Sequence, residues 1–149
     1  MRKGDVMQEL RHSRQRDAIW EWIRDRHDHP TADTVYTAVR EEFPRISLAT
    51  VYRNLMLLTD QGKLKIVDAG DRVARFDPNI AEHVHFHCTE CGKVVDVDAP
   101  ELIRSVTRGD FSGVGRVSAC SICLQGVCNE CEAAGGAGSE AAQSEGKVA

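Results

Sequence analysis

Apolar residues recur at helical spacing as far as Leu58, and short β-prone runs take over beyond it. Ser13 reads as the cap of a first helix, RQRDAIWEWIRDRH, whose Ala18, Ile19, Trp22 and Ile23 share one face. Asp28-His29-Pro30-Thr31 breaks it. A second helix is predicted from Ala32 to Phe43, with Val35, Tyr36, Val39 and Phe43 inward and Pro44 ending it. Ser47 caps a third, closed by Gly62, with Leu48, Val51, Leu55 and Leu58 as its buried stripe. Its opposite face carries Ala49, Thr50, Arg53 and Met56, with Tyr52 at the edge.

After Gly62, KLKIVD and RVARF flank an Ala69-Gly70-Asp71 turn and predict a β-hairpin. Three helices followed by a hairpin make the winged-helix version of the helix-turn-helix theme. Asp77-Pro78-Asn79 reads as a hinge. HVHFHC and KVVDV then predict a second hairpin. Asp98 and Glu101 around Pro100 stand at capping-box spacing before a short helix bearing Leu102, Ile103 and Val106. GRVSACSICLQGVC predicts a long strand. The class is therefore α+β, with a winged-helix DNA-binding domain over residues 1–76 and a small α/β, metal-bearing domain over 77–131. Residues 132–149 are small, polar and low in complexity, which predicts a disordered tail.

The chain has 149 residues, 42% hydrophobic and 28% charged, which fits a soluble globular protein. No apolar run reaches the roughly 20 residues of a membrane span. The N-terminal MRKGDVMQELRHSRQR lacks the apolar core of a secretory signal, so the expected location is cytoplasmic, with no membrane partner. The net charge of −4 argues against nucleic acid until it is divided. Residues 1–75 carry +2 and residues 76–149 carry −6, so only the first part tolerates close approach to phosphates.

Six cysteines lie between positions 88 and 131. Without an export signal they point to metal or redox chemistry before structural disulfides. Cys88-x-x-Cys91-Gly and Cys128-x-x-Cys131 are two knuckle turns, each able to place two thiolates about 2.3 Å from one Zn2+. Four protein ligands would make that zinc structural. Cys120 and Cys123 form a third such pair. Within a strand, residues three apart face opposite ways, which favours packed or free thiols over a supplementary metal or redox role.

His83, His85 and His87 project from one face of a strand, with Asp96 on the neighbouring strand. Asp77 sits at the hinge and His29 in the break between the first two helices. Imidazoles with carboxylates suit iron, manganese or zinc rather than magnesium or calcium. On the third helix, Ala49, Thr50, Tyr52 and Arg53 stand where a recognition helix meets base edges. Lys63, Lys65, Arg72 and Arg75, with Arg11, Arg14 and Arg16, are candidate phosphate contacts; a merely solvated charged face is the competing reading.

The runs HPTADTVYTAVREEFPRISLATVYRNLMLLTDQGKL, RFD, HVHFHCTECGKVVD and GVCNEC resemble the ferric uptake regulator (Fur) family over about residues 10–131. The resemblance implies a homodimer of winged-helix heads on a C-terminal dimerisation domain. It implies repression at palindromic operator DNA in the metal-loaded state, with no small-molecule substrate and no enzyme activity. It assigns Cys88, Cys91, Cys128 and Cys131 to a structural zinc site. It assigns His29, Asp77, His83, His85 and Asp96 to a regulatory site for Fe2+ or Mn2+, with Zn2+ as a further candidate. The two Asp positions are most similar to the peroxide-responsive (PerR-like) branch, where a metal-bound His, here His29 or His83, is oxidised. Cys120 stands where many relatives have a metal-binding His, Cys123 near an often acidic position, and His87 is an extra imidazole; these departures pull toward zinc.

Three rivals remain on the residues. One is an iron- or zinc-availability sensor of the same family without peroxide sensing. Another is a metallohydrolase, which would want His-x-His-x-Asp-His where Phe86 and His87 follow His85. The third is a zinc-binding interaction module, which leaves the Ser47–Gly62 helix unexplained.

Overall fold

The computed structural model describes residues 3–135, with side chains from residue 13 onward. Three helices lead: α1 (Lys3–Ile23), α2 (Ala32–Val39) and α3 (Leu48–Asp60). The hairpin β1 (Lys65–Val67) and β2 (Arg75–Asp77) follows, in antiparallel register with Lys65 opposite Asp77. A three-stranded sheet comes next, built from β3 (Val84–Cys88), β4 (Val94–Val97) and β5 (Ile122–Gly126). β3 is central, antiparallel to β4 and parallel to β5. Helices α4 (Pro100–Thr107) and α5 (Asn129–Gly135) flank that sheet. The architecture is α+β, a winged-helix part followed by a small α/β part.

The helices gather because each has one apolar stripe to hide. Ile19 and Ile23, Val35 and Val39, and Val51, Leu55 and Leu58 form one buried cluster, closed by Leu64 and Phe76. Phe76 is fully buried and its N–H donates to the Pro30 carbonyl at 3.0 Å. Burial of one such ring contributes about 2–3 kcal/mol and pins the hairpin to the loop before α2. A second cluster joins Val67 and Ala69 of the hairpin to Val94 of the sheet, with Cys123 beside them. The hairpin thus packs on both parts of the molecule.

Side-chain caps fix two helix starts. Thr31 and Ser47 accept from the N–H groups of Thr34 and Thr50, at 3.3 and 3.2 Å. Gly62 takes φ +70 just beyond α3, a conformation a Cβ would strain.

Several expectations are corrected. Ser13 is not a cap: α1 is already helical there, and its hydroxyl reaches Asp17 at 3.4 Å one turn on. α2 stops at Val39, short of Phe43. Leu48 is exposed, while Asn54 is buried in its stead, donating to the Thr50 carbonyl at 2.9 Å. Ala99, not Asp98, precedes α4, with no side-chain cap bond; Glu101 pairs with Arg104 at 2.7 Å. Pro100 at the first turn starts that helix by its fixed φ. The long strand shrinks to Ile122–Gly126, because only that stretch finds β3 as a partner. The tail does not begin at Glu132, since α5 continues to Gly135; residues 136–149 lie outside the described residues.

Candidate metal centres

β3 carries two clusters. At its C-terminal end, buried Cys88 meets Cys91 from the turn into β4, Cys128 from the turn into α5 and Cys131 from the first turn of α5 itself. One sulfur from each lies within 4.8 Å of the others, and Cys91 and Cys128 are 3.9 Å apart. A tetrahedral zinc with bonds of about 2.3 Å requires sulfur–sulfur edges of about 3.8 Å, so the donor set fits that ion. Gly92, at φ +73, allows the first knuckle to close, and its N–H donates to the Cys88 carbonyl at 2.9 Å. The N–H groups of Cys91 and Cys128 hold the Cys88 thiol down to about 6. Hydrogen bonding with Cys128 and Cys91, the neighbouring thiols, pushes Cys131 up to about 12. Four thiols at one point ionise together only around a cation, which is the service zinc would supply there.

The other cluster draws on more distant segments. His29, in the loop before α2, sits at φ +48, a region costly for a side-chain-bearing residue. Its Nδ1 donates to the Val94 carbonyl of β4 at 3.3 Å, leaving Nε2 turned inward. There Nε2 lies 2.9 Å from Asp96 and 3.8 Å from Asp77. Nε2 of His83 is 2.9 Å from Asp96 and 3.3 Å from Asp77. Nε2 of His85, directly across from Asp96 in the β3–β4 register, is 3.4 Å from Asp77 and 3.7 Å from Asp96. All five ligand atoms fall within 4.8 Å.

Nε2 of His29 and of His83 is buried without an aligned hydrogen-bond partner. Buried orphan nitrogens are costly, and lone pairs converging on two carboxylates are what a divalent transition metal satisfies. Burial lowers the pKa of His29 although Asp77 and Asp96 pull it upward, and neutral imidazole is the ligating form. Burial works to raise Asp77, yet the His85 bond, the Asn79 N–H and nearby positive charge together hold its carboxyl below the usual range. That keeps it ionised, as a ligand must be.

His87 takes no part in this cluster. Its Nε2 lies 3.4 Å from Asp71, and Asp71 grips Arg75 with two bonds of 2.7 and 2.9 Å. Arg75 is therefore buried rather than offered to phosphate, and its Nη2 also donates to the Gly92 carbonyl at 3.0 Å. Lys65 is likewise turned toward the His/Asp cluster instead of a phosphate. Sequence reasoning missed this inward use of Asp71, Arg75 and Lys65; the signal available was the hairpin register that sets Lys65 across from Asp77. Cys120 lies outside β5 and Cys123 within it, where burial pushes the Cys123 thiol up. Ala49, Tyr52 and Arg53 on α3 are exposed, Thr50 is half-buried, Arg16 is half-buried, and exposed Lys63 lies 5.2 Å over the Trp20 ring. Arg14 and Arg72 are exposed; the side chain of Arg11 lies outside the described residues.

Residues 7–109 match the family model described as Ferric uptake regulator family. The chain belongs to the ferric uptake regulator family. It is 38% identical over 123 residues to a peroxide-responsive repressor, PerR, of Staphylococcus aureus (strain Mu50), covering 83% of each protein. Its fold is similar to that of the Campylobacter jejuni peroxide stress regulator, with TM-score 0.70 and 29% identity over 88% of this chain and all (100%) of that one. It also resembles the Helicobacter pylori ferric uptake regulator Fur, a protein with three functional metal binding sites, at TM-score 0.71. There the identity is 18%, over 89% of this chain and 95% of that one, so the likeness is one of fold. Members of the family are transcriptional regulators rather than enzymes, and this Fur-family chain is a metal-responsive regulator with PerR homologues. Among the described residues, no helix is long and apolar enough to cross a membrane.

Proposed function

We propose that this chain is a cytoplasmic, homodimeric repressor that binds palindromic operator DNA when its His/Asp cluster holds a metal, and that peroxide releases it. In this reading residues 1–76 are the DNA-binding head and 77–131 the dimerisation and metal-binding base. Zn2+ occupies Cys88, Cys91, Cys128 and Cys131. Fe2+ or Mn2+, with Zn2+ as a competitor, occupies His29, Asp77, His83, His85 and Asp96. Ala49, Thr50, Tyr52 and Arg53 face the major groove, with Arg16 and Lys63 on the backbone.

The observation that carries the reading is the composition of the five-residue cluster. His29 comes from the loop between α1 and α2 and Asp77 from the end of the wing, while His85 and Asp96 come from the sheet and His83 from the residue that leads into β3. An ion held by all five fixes the angle between head and base. In a dimer that angle sets the spacing of two α3 helices, and operator half-sites have a fixed separation. Metal binding energy thus biases a two-state equilibrium toward the geometry that engages both half-sites. The exposed Leu102 of α4 and Leu124 of β5 give the base apolar surface for a second copy to cover.

Bound ferrous iron would activate peroxide, which would deliver one oxygen atom to an imidazole C–H and leave as water, a net two-electron oxidation of the ring. The part of this chain is to place the imidazoles of His29 and His83 beside that event. An imidazole that gains an oxygen is a poorer ligand, so the clasp between head and base loosens.

Operator binding titrated with Fe2+, Mn2+ and Zn2+, with and without peroxide, tests this. His83→Ala is expected to keep its cysteine-bound zinc and its dimer yet lose the metal-dependent gain in operator affinity. Mass spectrometry after peroxide should find an added oxygen on the His29 or His83 peptide in the iron form and none in the manganese form. Metal-dependent binding untouched by peroxide would leave a metal-availability sensor in place of a peroxide sensor.

A further inference from the structure

Lys65 opens β1, across the hairpin from Asp77. Its Nζ donates to the Ala81 carbonyl at 2.7 Å, lies 3.2 Å from Nδ1 of His83, and lies 3.5 Å from Oδ2 of Asp77. Two of the five cluster residues therefore touch a cation carried by the wing. The Asp77 side chain is 2% exposed, and a carboxylate so buried needs a compensating positive charge. In the absence of a metal, Lys65 is the nearby fixed cation that meets the need.

We propose that Lys65 is an internal competitor for the regulatory metal, a positioning residue that holds Asp77 and His83 in the metal-free protein and sets how much metal is required to displace it. The inference rests on reading the His/Asp cluster as a metal site. Two effects oppose the incoming ion. The first is Coulombic: a divalent cation placed among these ligands sits near the ammonium in a partly buried region, where screening by water is weak. The second concerns the His83 ring. To ligate through Nε2, the ring must carry its proton on Nδ1, donated to the Ala81 carbonyl 2.9 Å away. Lys65 donates to that same carbonyl and directs an N–H toward Nδ1 itself, favouring the tautomer whose Nε2 is blocked by a proton. Loading the site therefore requires Lys65 to withdraw.

The opposite role, Lys65 as a support that orients His83 for the metal, predicts the opposite sign. Mn2+ alone serves as the probe, because it leaves the imidazoles unoxidised. Its affinity is measured by competition with a fluorescent chelator on full-length protein whose cysteine zinc has been quantified. Lys65→Met keeps the aliphatic stem on β1 and removes the charge; Lys65→Arg keeps the charge. Lys65→Met is expected to bind Mn2+ about tenfold more tightly, as removal of one neighbouring charge implies. The same variant should melt below the parent in chelator, because Asp77 has lost its counter-charge, while Lys65→Arg stays near the parent in affinity. Equal or weaker Mn2+ binding by Lys65→Met overturns the proposal. His83→Ala, run in parallel, separates the two failures. Should His83→Ala and the parent bind Mn2+ alike, the cluster is not the site and both readings fall. Should His83→Ala lose Mn2+ while Lys65→Met matches the parent, the competitor role falls alone.

Discussion

The four cysteines and the five His/Asp residues share strand β3, yet the two clusters close different distances. Cys88 meets partners from two knuckle turns that flank the same sheet, and the Cys128 N–H even donates to the Cys88 sulfur at 3.3 Å. An ion there staples the sheet to itself. The His/Asp cluster instead reaches from the loop before α2, through the end of the wing, to two strands of the sheet. An ion there joins the helical head, which has its own apolar cluster, to the sheet, which packs on Val67 and Ala69 of the wing. The first arrangement can set whether the base folds, while the second can set how the head stands on it. A ligand set is suited to signalling when its members belong to parts that can move against each other, and to structure when they belong to one sheet and its flanks.

Breaking the cysteine cluster should have the largest effect. Structural zinc is worth on the order of 10 kcal/mol or more to a small fold at neutral pH. On the proposed reading of a zinc-bound homodimer, Cys88→Ser is expected to lose zinc, dimer and any cooperative melting of the sheet β3–β5, read by metal analysis, sedimentation and circular dichroism. Retention of the dimer without zinc would mean that the sheet needs no staple.

A metal-free connection between the two parts gives the next test. Asp71 holds Arg75, and Arg75 holds the Gly92 carbonyl beside the cysteine knuckle, while Gln125 donates to the Ala69 carbonyl at 2.8 Å. The Arg75 side chain is 9% exposed, so removing its partner strands a buried guanidinium. Asp71→Ala should cost about 3 kcal/mol, a drop of about 10 °C in Tm. Asp71→Ala combined with Arg75→Met should recover much of that, because no charge is then left unpaired. If this connection is independent of the His/Asp clasp, the loss is the same in chelator and in Mn2+. A loss that Mn2+ erases would merge the two into one device.

Local chemistry makes the frame legible in the sequence. Ser47 and Gly62 bracket α3 as their backbone preferences require, and the paired knuckles mark the cysteine cluster by spacing; the alternating histidines mark only His83 and His85 of the other cluster, whose full set follows from the family resemblance. What spacing does not reveal depends on contacts far apart in the chain. Arg75 looks like any wing cation until Asp71 and Gly92 surround it. Asn54 breaks an apolar stripe but satisfies itself on the Thr50 carbonyl. Among the described residues no strand lies beside the β-prone residues before Ile122, so propensity there stays unused. His87 shares the spacing of His83 and His85 yet answers to Asp71. Periodicity finds which face a residue is on; it does not find which neighbour owns that face.

The smallest expected effect concerns protons at the junction. Burial depresses the pKa of His29 in the folded protein, against the pull of Asp77 and Asp96, while the unfolded chain keeps a value near 6.5. As pH falls below about 6.5 the unfolded chain takes up a proton that the folded one refuses, so stability is full above that pH and drains below it. Asp77 acts in a separate window: its depressed carboxyl pKa contributes stability above about 4 that is lost only in stronger acid. Melting of zinc-loaded, Mn2+-free protein between pH 7.5 and 5.5, compared with a His29 variant, reads the His29 contribution, provided zinc content is measured at each point. His29→Asn suits the comparison, since Asn tolerates the φ of +48 and does not titrate. The variant should melt with a flatter pH dependence than the parent. An unchanged slope would place the group that titrates between pH 7.5 and 5.5 somewhere other than His29 and leave Asp77 as the junction's acid-sensitive residue.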